Sequence, residues 1–174
     1  MNRRSILMLL VLVALIAASL ASAAEGDAPE KLRVGVYDSR AVGLAYGQGG
    51  EFKARIDKMK AEHAAAEASG DTARVRELSH EGPWLQERMH MQVFSNLPID
   101  DILEGRNEMI AKVAESTGVD VIVPSVAWVG EGVEVVDVTV AFVMQFGGDE
   151  QAAKELVREV KNAPPVQLPF DFGD

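Results

Sequence analysis

The side chains best suited to chemistry in this chain are few and scattered. Glu87 and His90 stand three apart, a spacing that puts both on one face of a helix. Carboxylate-bridged di-metal bundles use Glu-x-x-His, but they need it twice, with further carboxylates from partner helices. It occurs once here, so no metal site is expected. His63 and His80 could approach each other across a turn; His63 is expected in a helical seam, with His80 and His90 partly solvated. Asp38, Ser39 and Arg40 have side chains of the types used in nucleophilic catalysis, but adjacent residues cannot form a triad, because nucleophile and base must meet side by side. Asp38 and Ser39 therefore read as helix caps, and Arg40 as a surface or intersubunit ion partner. Gly47-Gln48-Gly49-Gly50 lacks the glycine patterns that cradle phosphates and reads as a joint. These residues imply neither catalysis nor a cofactor.

The amino terminus addresses the chain. Arg3 and Arg4 precede an unbroken apolar run over residues 6–18, which ends in Ala21-Ser22-Ala23-Ala24. A charged start, an apolar middle and a small-residue cleavage site make a secretory signal. Residues 1–23 are expected to be removed, placing the protein in the periplasm; an uncleaved anchor is the competing reading. With no cysteine in the chain, a lipoprotein anchor and disulfide support are both excluded. Loss of Arg3 and Arg4 leaves 15 basic against 27 acidic residues, moving the formal net charge from −10 to −12. Such a chain lacks the lysine and arginine clusters that bind phosphate, which argues against nucleic acid as a partner. No second long apolar run follows, so no membrane span is expected after cleavage.

Local patterns then predict the elements. Residues 24–31 are a polar lead-in. Residues 32–37 alternate as a strand, with Leu32, Val34 and Val36 on one face. Phe52, Ile56, Met59, His63 and Ala66 keep a heptad spacing, and so do Val75, Leu78, Gly82, Leu85, Met89 and Gln92. Gly70 and Asp71 between them suit a helix end and the next start. The two arms therefore form an antiparallel helical hairpin. Pro83 predicts a kink or a break in its second arm, and Pro98 a further break. A third helix fits residues 99–117. Residues 119–124 read as a buried strand, Gly130-Glu131-Gly132 as a turn, and residues 133–136 as a strand returning from it. Asp137 or Thr139 can cap a short helix through Phe146, with a continued strand as the alternative. A last helix fits residues 149–161, and residues 163–174 an irregular tail. The class is α+β: a small sheet, completed by oligomerisation, with a helical hairpin and a C-terminal helix.

Two segments carry a family likeness. Leu32-Arg33-Val34-Gly35-Val36-Tyr37-Asp38 is similar to the opening strand of the Skp/OmpH family of periplasmic chaperones. Residues 110–114 and 118–123, followed by Val136-Asp137-Val138-Thr139, resemble that family's closing helix, strand and Asp-x-Thr helix start. Residues 90–103 also resemble a group of short uncharacterised exported bacterial proteins. The segments that carry the likeness lie within one Skp/OmpH-like domain, expected over residues 32–146. The resemblance implies a trimer whose small sheets close a barrel and whose arms enclose unfolded or outer-membrane proteins. This chain is acidic, and its arms are short and proline-interrupted, whereas the family's are basic and long. Along the arms, Phe52, Trp84, Met89 and Phe94 are the apolar candidates for client contact, Trp84 as an exposed anchor; Trp128 is expected in the core or a subunit interface. The alternatives are a structural or adaptor module for one envelope partner, and, less favoured, an enzyme or metal-binding protein using His63, His80, His90 and Glu87.

Overall fold

A computed structural model describes residues 31–166. The expected signal peptide, most of the lead-in and the tail beyond Val166 lie outside the described residues. Within them the chain is α+β, with seven helices and one three-stranded sheet. Strand β1 (Leu32–Val36) leads into α1 (Ser39–Gln48), α2 (Gly50–Ser69) and α3 (Thr72–Phe94). A short α4 (Asp100–Leu103) and α5 (Asn107–Thr117) precede β2 (Val121–Val123). Then come β3 (Val133–Asp137), α6 (Thr139–Met144) and α7 (Glu150–Asn162). Among the described residues no helix is long and apolar enough to cross a membrane.

The sheet corrects one expectation. The Gly130-Glu131-Gly132 turn does not fold β3 back beside β2 as an antiparallel hairpin. The order is β2-β1-β3, and both outer strands run parallel to β1. Val34 pairs with Val121 on one side and with Val135 on the other. The segment 124–132 is far longer than the two-residue loop of a tight hairpin. It has the length to return from the end of β2 to the start of β3 on the far side of β1.

Side chains alternate across a strand, and the two faces of this sheet differ. Ile122 and Val136 point to the helices and pack on the main core, with Tyr37, Val42, Val113, Val119, Val138 and Phe142. Gly35 lies on this face because a Cβ there would sit 3.0 Å from Val138 Cγ1 and 3.1 Å from Val119 Cγ2. The other face carries Leu32, Val34, Val36, Val121, Val123, Val133 and Val135. None of these belongs to either core cluster, and Leu32, Val121 and Val135 are exposed. The expectation that residues 119–124 are buried on both faces therefore fails at Val121.

A second cluster packs α7 against α1 and α6 through Ala41, Ala45, Val143, Ala153, Val157 and Val160. Arg40 joins this region to the hairpin. It is buried, and its guanidinium donates to the carbonyls of Val93 (3.2 Å), Val160 (3.4 Å) and Ala163 (2.6 Å). Arg40 thus closes the C-terminal ends of α3 and α7, where cations are favoured, instead of pairing with a carboxylate at the surface.

Two helix boundaries also differ from expectation. α3 runs through Pro83 without a break. Gly82 has no Cβ to meet the proline ring, and Pro83 itself is exposed. The predicted third helix is split, because Gly105 takes a left-handed conformation (φ 73°) between α4 and α5. The segment after Asp137 is the short helix, not the continued strand.

Candidate functional site

The hairpin builds an apolar groove. Gly70 adopts a left-handed conformation at the end of α2, and Asp71 caps α3 by accepting from the Arg74 N–H at 3.0 Å. Arg74 ties the arms together, donating to Glu62 of α2 at 2.6 Å and meeting Glu77 at 2.8 Å. The hydrogen bonds to Glu77 and then Glu62 raise the Arg74 pKa, and the Arg74 hydrogen bond holds the Glu62 carboxyl below its usual range. Ala66, Leu78, Leu85 and Met89 are buried where the arms meet. Nearer the base the arms leave a groove of about 550 Å³ lined by Phe52, Ile56, Met59, Leu78, Pro83 and Met89. Its polar lining is Lys60, His63, Gln86 and His90. A Cβ on Gly82 would meet nothing within 4 Å, so the missing side chain leaves room in the groove wall.

The groove is anchored to the body at one joint. Only Gly49 separates α1 from α2, and a Cβ there would lie 3.1 Å from the Tyr46 carbonyl oxygen. Arg106 stacks over Tyr46 (5.5 Å) and Phe146 (5.7 Å), and donates to Glu51 at the start of α2 (2.5 Å) and to the Ile102 carbonyl (2.6 Å). That hydrogen bond holds the Glu51 carboxyl below its usual range against the opposing effect of burial. Phe52 continues the stack on Tyr46 at 5.5 Å. The far end of α3 is fixed by Gln92, which donates to the Pro98 carbonyl (3.0 Å) and to Asp101 (2.6 Å), while Arg88 donates to Asp101 at 2.9 Å.

Of the four apolar residues singled out in the sequence, the groove gathers two. Phe52 and Met89 line it, and Met89, only 8% exposed, also packs into the main core. Trp84 and Phe94 lie outside the lining, 57% and 55% exposed. Trp84 stacks with Arg88 at 5.7 Å, and the Phe94 ring lies 5.9 Å from His90. Ile56 and Met59 were visible in the seam repeat but not singled out for contact; their spacing with Phe52 was the signal.

The polar residues settle elsewhere. Asp38 caps α1, accepting from the N–H groups of Arg40 (2.9 Å) and Ala41 (3.4 Å), with Ser39 as the first helical residue. Thr139 is buried and accepts from the Asp38 N–H at 3.0 Å while donating to Asp137 at 2.5 Å. Asp137 also meets Lys161 at 2.7 Å. This network ties the carboxyl ends of β1 and β3 together. His63 pairs with Ser79 (3.2 Å) and approaches Glu67 (3.6 Å). Among the described residues, no three histidine, aspartate or glutamate side chains are gathered for a metal ion.

Two of these carboxyls predict acid sensitivity. Asp101 is lowered, chiefly by the Arg88 hydrogen bond. At Asp137 burial acts to raise the pKa, but hydrogen bonds from Lys161 and Thr139 outweigh it and leave it lowered. A lowered carboxyl stabilises the fold above its unfolded pKa, and that contribution is lost as pH falls through the folded value. Acid titration followed by circular dichroism is expected to show stability falling below about pH 4, the unperturbed carboxyl range. Asp101→Asn with Asp137→Asn should be less stable at pH 7 and flatten that dependence. A double variant with the wild-type acid profile would contradict this.

Comparison of the chain with protein-family models, curated proteins and solved structures finds no match.

Proposed function

We propose that this chain is an exported, non-enzymatic protein of the periplasm that holds apolar segments of unfolded or outer-membrane proteins between its arms, as the Skp/OmpH resemblance implies, and that it works as an assembly of copies. The observation that carries the reading is the apolar groove at the base of the hairpin. Its six apolar lining residues offer area without fixed hydrogen-bond geometry, which suits many sequences better than one. Methionine at two positions adds a flexible, polarisable surface of the kind used in promiscuous binding. Its polar groups sit at one lysine, one glutamine and two histidines, so little charge opposes an apolar segment.

The test is to dilute a urea-unfolded outer-membrane β-barrel protein into buffer with rising amounts of this protein and follow light scattering. Suppression at near-stoichiometric assembly is expected. No suppression by folded protein would overturn the reading and favour an adaptor for one envelope partner. Ile56→Asn with Met59→Asn should weaken client binding at least tenfold, the scale of lost anchor residues in a binding surface. Both side chains are half-buried on the exposed arm, so circular dichroism should remain that of the folded chain. Unchanged affinity in that variant would remove the groove from the account.

A further inference from the structure

We propose that the crevice beyond the carboxyl ends of β1 and β2 binds a small neutral polyhydroxylated molecule, a monosaccharide or a glycoside of that size. Parallel sheets take their ligands in this place, outside the strand ends and beside a central strand whose neighbours are reached in opposite directions. Here β1 is central, the chain passes first to β2 and then across to β3, and residues just beyond β1 and β2 line the crevice. Its volume is about 570 Å³, within the usual range for small-molecule sites. No residue lines both this crevice and the hairpin groove, so the inference stands independently of client holding.

The observation that carries it is Tyr37. A buried tyrosine hydroxyl ordinarily finds a partner. Tyr37 is only 7% exposed, with its ring packed on Phe142, yet among the described residues its hydroxyl has no hydrogen-bond partner. That oxygen is not sealed in the interior, because among the described residues no fully buried side-chain oxygen lacks a partner. It therefore opens toward the crevice that Tyr37 lines. Asp100, in the same lining, is near enough for its charge to help keep the hydroxyl protonated, and so a donor. Around it stand Ser39, Asn96 and Ser125. Among the described residues the side chains of these three and of Asp100 are likewise without hydrogen-bond partners.

The balance of donors and acceptors selects the ligand. Asp100 only accepts, Asn96 both donates and accepts, and the hydroxyls of Tyr37, Ser39 and Ser125 do either. An ammonium group would satisfy the acceptors and leave the Asn96 N–H groups unanswered. An anion would meet Asp38 and Asp100, while the one cation in the lining, Arg40, is already committed to the carbonyls of Val93, Val160 and Ala163. A polyol matches every group, because each of its hydroxyls can give one hydrogen bond and take others. Two neighbouring hydroxyls can share the Asp100 carboxylate, and hydrogen bonds to a charged oxygen are the stronger kind. Pro98, Ile99 and Pro124 add an apolar wall for the C–H face of a sugar ring.

The test is saturation-transfer NMR on protein purified after export, with D-glucose, D-galactose, D-mannose, N-acetyl-D-glucosamine and their methyl glycosides as probes. Putrescine and inorganic phosphate serve as cationic and anionic controls. At least one sugar is expected to bind with a Kd of about 1 mM or below. Tyr37→Phe removes only a hydroxyl without a partner among the described residues, so the urea midpoint should hold while sugar binding weakens by about tenfold or more. Asp100→Asn, at an exposed position, should weaken binding by a similar factor with circular dichroism unchanged. No sugar bound at about 20 mM, far above that Kd, would overturn the proposal. So would binding of putrescine or phosphate alone. Variants that bind sugar like the wild type would overturn it too, and a lowered urea midpoint in Tyr37→Phe with unchanged sugar affinity would assign the hydroxyl to the fold instead.

Discussion

Arg40→Leu is expected to lower the unfolding free energy by about 3 kcal/mol or more, because it strands buried carbonyls, each costing ~1–3 kcal/mol when left unpaired. The guanidinium reaches Val93 at the end of one arm and Val160 and Ala163 at the end of α7. Among the described residues no carboxylate is paired with it, so its charge is held by the carbonyl ends of two helices. Leucine fills part of the volume but donates nothing. Arg40→Lys should fall between the two, since one ammonium group lacks the planar fork that spans separate acceptors. Urea unfolding followed by circular dichroism measures the loss. A change below about 1 kcal/mol, the net worth of one ordinary hydrogen bond, would show that Arg40 does not close these helix ends.

Phe142→Ala should cost about 3–5 kcal/mol, the usual range for removing a fully buried phenylalanine. Phe142 is 0% exposed and packs tilted on Tyr37, ring centroids 4.9 Å apart. Burial and the nearby Asp100 charge raise the Tyr37 pKa, so its hydroxyl stays protonated against the ring stack. The cavity would open directly beneath the covered face of the sheet, where β1 and β3 end. The hairpin lies away from that cavity, but its root is fixed by Tyr46 and Met89 of the same cluster. Client binding is therefore expected to fail together with global unfolding in a temperature series. Loss of binding while the chain remains fully folded would contradict this.

Much of this architecture is written locally. The alternation of residues 32–37 gives β1, and the heptad spacing with Gly70 and Asp71 gives the hairpin and its turn. The apolar stripe Ala153, Leu156, Val157 and Val160 gives α7, since each pattern depends only on residues a turn or two apart. What failed depends on distant partners. The valines of residues 133–136 fit a hairpin with β2 or a parallel pairing with β1 equally well by alternation, and the tie from Thr139 to Asp38 lies 101 residues apart. Arg40 looks like a surface charge until two helix ends converge on it. Gly105 interrupts a helix that the surrounding isoleucine and leucine pattern carries through.

The candidate groove was half legible. Phe52 and Met89 lie in the repeat, and so does the groove they line. Trp84 precedes Leu85 by one residue, which rotates it about 100° around a helix of 3.6 residues per turn. That places it outside the seam, although its size and neighbourhood suggested contact. Trp128 was expected to be covered. Nothing in nine residues of loop specifies what covers them, and the structure leaves Trp128 exposed.

The most direct measurement places a single cysteine in a chain that has none. Gln86→Cys sits in the groove lining, and Arg158→Cys lies on the exposed side of α7. Each is coupled to a short photo-crosslinker, mixed with an unfolded outer-membrane β-barrel protein and irradiated. Client crosslinks are expected at position 86 and few at 158, with the Ile56→Asn and Met59→Asn pair removing the former. Equal crosslinking at both positions, or crosslinks at 86 that survive those substitutions, would contradict a client-holding groove between the arms.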